Sequence, residues 1–165
     1  MKTETLQDLY LKELRDIYGS EKLIVKALPK IMETADLIEL RQALSRHITE
    51  ARGQIVRIEK VFQIHGEKPT VKNSKALEGI LQEAEEDIAD AGTPTLRDTA
   101  IVAAVQQIKH YEMAAYGTLM AYATHLDYTE DGRFLQATLQ EERAADRKLT
   151  EIALNYLKLE AARTA

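Results

Sequence analysis

"QATLQEERAADRKLTEIALNYL", residues 136–157, reads as an amphipathic helix with one residue out of place. Starting from Leu135, its apolar stripe runs Leu135, Thr138, Glu142, Ala145, Leu149, Ile152, Tyr156, in the steps of three and four that keep to one helix face. Glu142 sits in the middle of that stripe, where a carboxylate is turned toward the core at a cost in free energy. The reading of the chain depends on what meets Glu142 there.

The same interruption recurs. A stripe of Ile101, Val105, Ile108, Glu112, Ala115, Leu119 and Tyr122 carries a carboxylate at its centre. Glu21 has Ile17, Tyr18, Ile24 and Val25 as its helical neighbours. A fourth stripe, Leu40, Leu44, His47, Ala51, Gln54, Ile58, Val61, has Glu50 at its edge beside His47 and Gln54. Four apolar stripes of this length predict four long helices.

Punctuation between the stripes gives the order. The first helix spans about Thr3 to Thr34, with Pro29 inside it as an expected kink. "ADLIEL" (35–40) then predicts a tight turn, with Asp36 as N-cap and Glu39 completing a capping box. The second helix continues to His65 and stops at Gly66. "EKPTVKNS" is a linker, and Ser74 caps a shorter helix of about Lys75 to Ala91. Thr93 or Thr95 opens the third long helix, which runs to Thr124. "LDYTEDG" turns the chain, and the fourth covers Arg133 to Lys158. Two long hairpins joined by a crossover with its own helix describe an all-α, ferritin-like four-helix bundle, a single domain over 1–165.

Composition agrees. The chain has 165 residues, 45% hydrophobic and 30% charged, enough to bury a real core. It has no cysteine, which excludes disulfides and thiolate metal sites. A net charge of −5 with no basic tail argues against nucleic-acid partners. The start "MKTETLQDLYLKELRD" has no apolar leader, and no stretch is apolar enough to span a membrane, so a cytoplasmic protein is expected.

The heights of the carboxylates match. The first hairpin turns near Ala35, about equally far from Glu21 and Glu50, and the second near Asp127, 15 positions from both Glu112 and Glu142. Between hairpins, Glu21 and Glu112 are 91 positions apart, Glu50 and Glu142 are 92, and Gln54 and Asp146 are 92. Two carboxylates about 5 Å apart repel by roughly 3 kcal/mol at an effective dielectric near 20. Lys109 and Arg57 read as flank positions, so protons or divalent cations are expected to balance the layer. One such glutamate is ordinarily a rim residue; four at one level point to metal. His47 reads first as a packed, hydrogen-bonded histidine and second as a ligand, His110 as a residue packed beside Ala103 and Ala114 or lining an interface, and Tyr18 and Tyr116 first as core tyrosines and second as hydrogen-bond donors to the ligands.

"LPK" after "GSEKLIVKA", then "HITEARGQIVRIEKVF", "IKHYEMAAYGTL" and "LQEERAADRKLTEIA" resemble the YciF/YciE family of bacterial ferritin-like proteins over nearly the whole chain. The resemblance implies a rubrerythrin-like bundle, a homodimer, a two-metal centre and a link to stress. By position it implies Glu21, Glu50, Glu112, Glu142 and Asp146 as metal ligands, with Gln54 close by. The wider ferritin-like pattern is Glu-x-x-His, but Gly53 and Ala145 stand three residues after Glu50 and Glu142. An almost all-oxygen site is therefore expected, suited to two ions of iron or manganese, with magnesium possible. The function expected is stress-associated binding of divalent metal; oxidase, peroxidase or ferroxidase chemistry would use the same box. The alternative is a structural or interaction dimer with a vestigial, metal-free carboxylate layer. Homodimer formation is also expected from residues 100–124, where Lys109 and Glu112 are the only Asp, Glu, Lys or Arg.

Overall fold

A computed structural model describes the backbone of residues 3–164 and the side chains of 3–156. Its five helices are α1 (Leu6–Thr34), α2 (Ile38–Ile64), α3 (Lys75–Asp90), α4 (Pro94–His125) and α5 (Thr129–Thr164). α1 opens with a reciprocal cap. Thr5 Oγ1 accepts from the Asp8 N–H at 3.1 Å, and the Asp8 carboxylate accepts from the Thr5 N–H at 3.0 Å. The helix continues unbroken through Pro29, flanked by buried Leu28 and Ile31. Packing on both sides offsets the hydrogen bond that proline removes.

The turn into α2 corrects the expected capping box. Asp36 is not the N-cap: that position is Leu37, which has no side-chain cap. The N–H groups of Asp36 and Leu37 donate instead to the two oxygens of Asp98, each at 2.8 Å, from the first turns of α4. The Asp36 carboxylate is taken by Arg97 at 2.6 Å. The turn has its orphan donors met by a buried carboxylate distant in sequence.

Other boundaries follow local chemistry. α2 stops where Gly66 takes φ +66, the left-handed conformation glycine adopts without strain. Ser74 accepts from the Leu77 N–H and Thr93 from the Leu96 N–H, capping α3 and α4. α5 begins at Thr129, not Arg133. Asp127 supplies the left-handed turn at φ 57, and the Tyr128 N–H donates back to Ala123 O, so Glu130 and Asp131 enter the first turn of α5. Their charge suits a helix N-terminus.

α1 and α2 form one antiparallel hairpin and α4 and α5 the other; α1 packs on α4, α2 on α5, and α3 lies across α4 and the edge of α1. The core is in two parts. One, including Ile24, Leu44, Leu77, Ile108 and Leu149, fills the end near the α1–α2 turn. The other, including Tyr10, Ile17, Phe62, Tyr116 and Leu139, fills the opposite end. Glu21, Gln54, Glu112 and Glu142 fall between the two clusters along their respective helices, and all four are completely buried. A polar layer cuts the hydrophobic core.

Candidate metal centre

Each long helix contributes to this layer because each apolar stripe is interrupted at the matching turn. α2 contributes His47, Glu50 and Gln54, α4 contributes Lys109, Glu112 and Tyr116, α1 contributes Glu21, and α5 contributes Glu142. His47 Nε2 lies 3.4 Å from Glu112 Oε2. One donor atom each from His47, Glu112 and Glu142 lies within 4.8 Å of the others, a spacing that could hold a metal ion. Glu21 accepts a 2.5 Å hydrogen bond from the Tyr116 hydroxyl.

Lys109 overturns the expectation that no cation reaches the layer. It stands three residues before Glu112, on the same helix face, and its side chain is wholly buried. Its Nζ lies 2.6 Å from Glu142 Oε2 and 3.2 Å from Glu112 Oε2. Its backbone position is beside the stripe, but a lysine's four-carbon stem lets the ammonium reach well away from that position.

The remaining candidates take different places. Gln54 Nε2 donates to Glu142 Oε1 at 2.6 Å and to Glu141 Oε2 at 3.2 Å, so Gln54 orients Glu142. Arg57 clamps Glu141 through two bonds of 2.6 and 2.5 Å and donates to Thr138. Glu50 is half-buried, with Oε2 turned inward. Asp146 has its carboxylate 3.5 Å from both His110 Nε2 and Gln106 Nε2 and is not among the converging groups. His110 is largely exposed and does not pack into the bundle.

The titration of these groups follows from burial. Desolvation, then the Glu112 charge, raises Glu21 well above the usual carboxylate range, against the Tyr116 hydrogen bond. Burial and Glu112 likewise push Glu142 up to about 7, with Lys109 pulling the other way. Burial raises Glu50 too. For His47, burial and the nearby Lys109 bring the imidazole down to about 3, so it stays neutral at pH 7 with the lone pair of one ring nitrogen available. Burial works against the Lys109 ammonium, but Glu112 and Glu142 more than offset it, and its pKa ends above the ordinary lysine value.

Neither nitrogen of His47 has a hydrogen-bond partner, contrary to the packed, hydrogen-bonded role expected of it. Both oxygens of Glu112, one each of Glu21 and Glu50, and the Gln54 carbonyl are similarly buried without a hydrogen bond. The sequence carried a signal for His47: it sits on the α2 stripe three residues before Glu50, reversing the Glu-x-x-His order. A cleft of about 260 Å³ between α2 and α5 leads to this group. Ala43, Ala144 and Ala145 leave room for it, Arg46 and Lys148 stand along it, and His47, Glu50 and Lys109 line it.

Comparison with known proteins places this arrangement. Residues 5–162 match the family described as a domain of unknown function, DUF892. Protein YciF of Escherichia coli strain K12 is 37% identical over 163 residues, 98% of each chain. The crystal structure of that stress protein superposes with a TM-score of 0.91, covering 94% of this chain and 99% of the other. YcfI of Rhodopseudomonas palustris, a candidate structural protein, is 44% identical with a TM-score of 0.88, covering 89% of this chain and 94% of its own. A Xanthomonas campestris protein at 20% identity and a TM-score of 0.71 shares the fold. With the family model spanning nearly its whole length and a full-length relative in YciF, this chain belongs to the DUF892 family of YciF-like helical-bundle proteins.

Proposed function

We propose that this protein binds a divalent cation in its polar layer, through His47, Glu112 and Glu142 with Glu21 and Glu50 beside them, in a stress-associated role in the cytoplasm. The observation that carries the reading is the set of seven buried polar atoms without hydrogen bonds on His47, Glu112, Glu21, Glu50 and Gln54. An atom of this kind costs about 1–3 kcal/mol when left unpaired, and more when charged; Glu112 Oε2 is offset in part by the Lys109 ammonium. A cation gives most of them a partner at once. The donor set, one neutral imidazole and several carboxylates, suits iron or manganese better than magnesium, which favours oxygen alone. Such an ion supplies Lewis-acid or one-electron redox chemistry; the protein holds it in a water-poor layer reached through the α2–α5 cleft. YciF is a stress protein, which supports the setting.

Elemental analysis of protein purified without chelators tests this reading directly. Iron or manganese is expected at substoichiometric to stoichiometric levels, rising on reconstitution. Glu112→Ala and Glu142→Ala are each expected to weaken binding by about tenfold or more. Unchanged affinity in both variants rules the site out. The second reading, a metal-free structural bundle, draws on the Lys109 ion pairs and on YcfI as a candidate structural protein. Wild-type protein that takes up no metal after reconstitution decides for it.

We propose further that the protein is a homodimer through α4. Lys109 and Glu112 both point inward, so the outer face of α4 between Ala100 and Thr124 carries no Asp, Glu, Lys or Arg. Ala103, Ala114 and Ala121 are exposed there, with Met113, Gly117 and Met120 half-buried. α3 covers only part of α4, and a two-fold contact is the common way to bury what remains.

A further inference from the structure

The geometry points to Lys109 as a built-in second cation of the polar layer, which limits the layer to one divalent ion per chain. This rests on the cation-binding reading above. A box of four carboxylates is balanced by two divalent ions when no other cation is present. Here Glu21, Glu112 and Glu142 are completely buried and Glu50 half-buried, and a lysine ammonium is already among them. It contacts Glu142 at 2.6 Å and Glu112 at 3.2 Å, two of the three groups best placed to hold metal. Lys109 is the one lysine or arginine buried among the described residues. Arg57 is engaged by Glu141, and Arg46 and Lys148 are exposed along the cleft.

The consequence is a layer with two cation positions, one of them covalently filled. With one divalent ion, three positive charges face four carboxylates, and the shortfall is met by a shared proton or by Glu50 at the rim. A second divalent ion would bring the total to five and crowd an ammonium already within hydrogen-bond reach of the ligands. Lys109 also lessens the need for metal during folding. A partly compensated layer lets the bundle form first and bind its ion afterwards, through the cleft whose lining includes Lys109 and His47.

Lys109→Met keeps a long unbranched side chain, one atom shorter, and removes its charge. After reconstitution with excess Mn²⁺ and removal of free ion, wild type is expected to hold close to one ion per chain and Lys109→Met close to two. In metal-free protein the variant should unfold at a lower urea concentration than wild type, and Mn²⁺ should raise its midpoint more than it raises that of wild type. If Lys109→Met alone does not fold, Lys109→Met with Glu142→Gln removes one charge of each sign and should restore the metal-free fold. Two ions in wild type, one ion in the variant, or equal metal-free midpoints for wild type and Lys109→Met overturn the assignment. Mn²⁺ bound to neither protein overturns the cation-binding reading instead. In that case, loss of metal-free stability in Lys109→Met that is cured by Glu142→Gln still supports Lys109 as the counter-cation.

Discussion

At the scale of single residues, two carboxylates do capping work of different kinds. Asp8 closes the reciprocal cap of α1, and its pKa is held below the ordinary value by the Thr5 hydroxyl and the N–H groups of Glu4 and Thr5. The folded chain therefore binds that proton more weakly than the unfolded one. The stabilisation is complete above the unfolded value near 4 and is lost as pH falls through the folded-state value. The urea midpoint of wild type minus that of Asp8→Ala should be constant above about pH 5 and shrink in acid; a difference that grows toward acid contradicts this sign. Asp98 does the harder work. It is buried at 1% exposure and serves two backbone donors of the α1–α2 turn. Asp98→Ala leaves both orphaned, so a loss of about 2–4 kcal/mol is expected in urea unfolding. A loss under about 0.5 kcal/mol would mean the turn finds other partners.

At the scale of elements, the crossover is the segment whose attachment depends on one missing side chain. Gly19 lies on α1 where the backbone of Lys72 crosses it, and a Cβ there would stand 2.0 Å from the Lys72 carbonyl oxygen. Around that contact Lys72 Nζ pairs with Asp16 at 2.7 Å. The Tyr111 hydroxyl of α4 bridges Ser20 at 3.0 Å and Ser74 at 2.7 Å. Gly19→Ala must lift the crossover off α1 while gaining a little helix propensity. A net loss of about 1–3 kcal/mol is expected, with faster amide exchange confined to residues 66–77. Uniform exchange throughout the chain would show that the crossover and the bundle unfold together.

At the scale of the whole molecule, the α4 face and the polar layer make separate predictions. Light scattering at micromolar concentration should give a mass near twice the 18.6 kDa chain. Ala114→Glu, placing a charge on the exposed α4 face, should shift the protein toward monomer without lowering its metal content. A soluble wild-type monomer would mean that α3 covers enough of α4 alone. For the layer, free Mn²⁺ at 100 times its dissociation constant should stabilise the fold by about 2.7 kcal/mol. Stripping the metal should remove that increment and leave a cooperatively folded protein, since Lys109 compensates part of the layer.

The sequence by itself determined what is periodic and local. Stripes in steps of three and four set the long helices, Ser74, Thr93 and Gly66 marked their ends, and the interrupted stripes put Glu21, Glu112 and Glu142 at one level. Such features need only neighbours along a helix, and helix geometry is fixed. What only the tertiary structure decided depends on the reach of side chains between helices. Asp98 caps a turn more than 60 residues away, the Lys109 ammonium enters the core from a position that looked like flank, and Gln54 holds Glu142 with its amide nitrogen. Asp146, alike in type and spacing, joins His110 and Gln106 instead. A stripe gives the direction of a Cβ but not where a flexible side chain ends. The charge balance of the layer is therefore set where four helices meet.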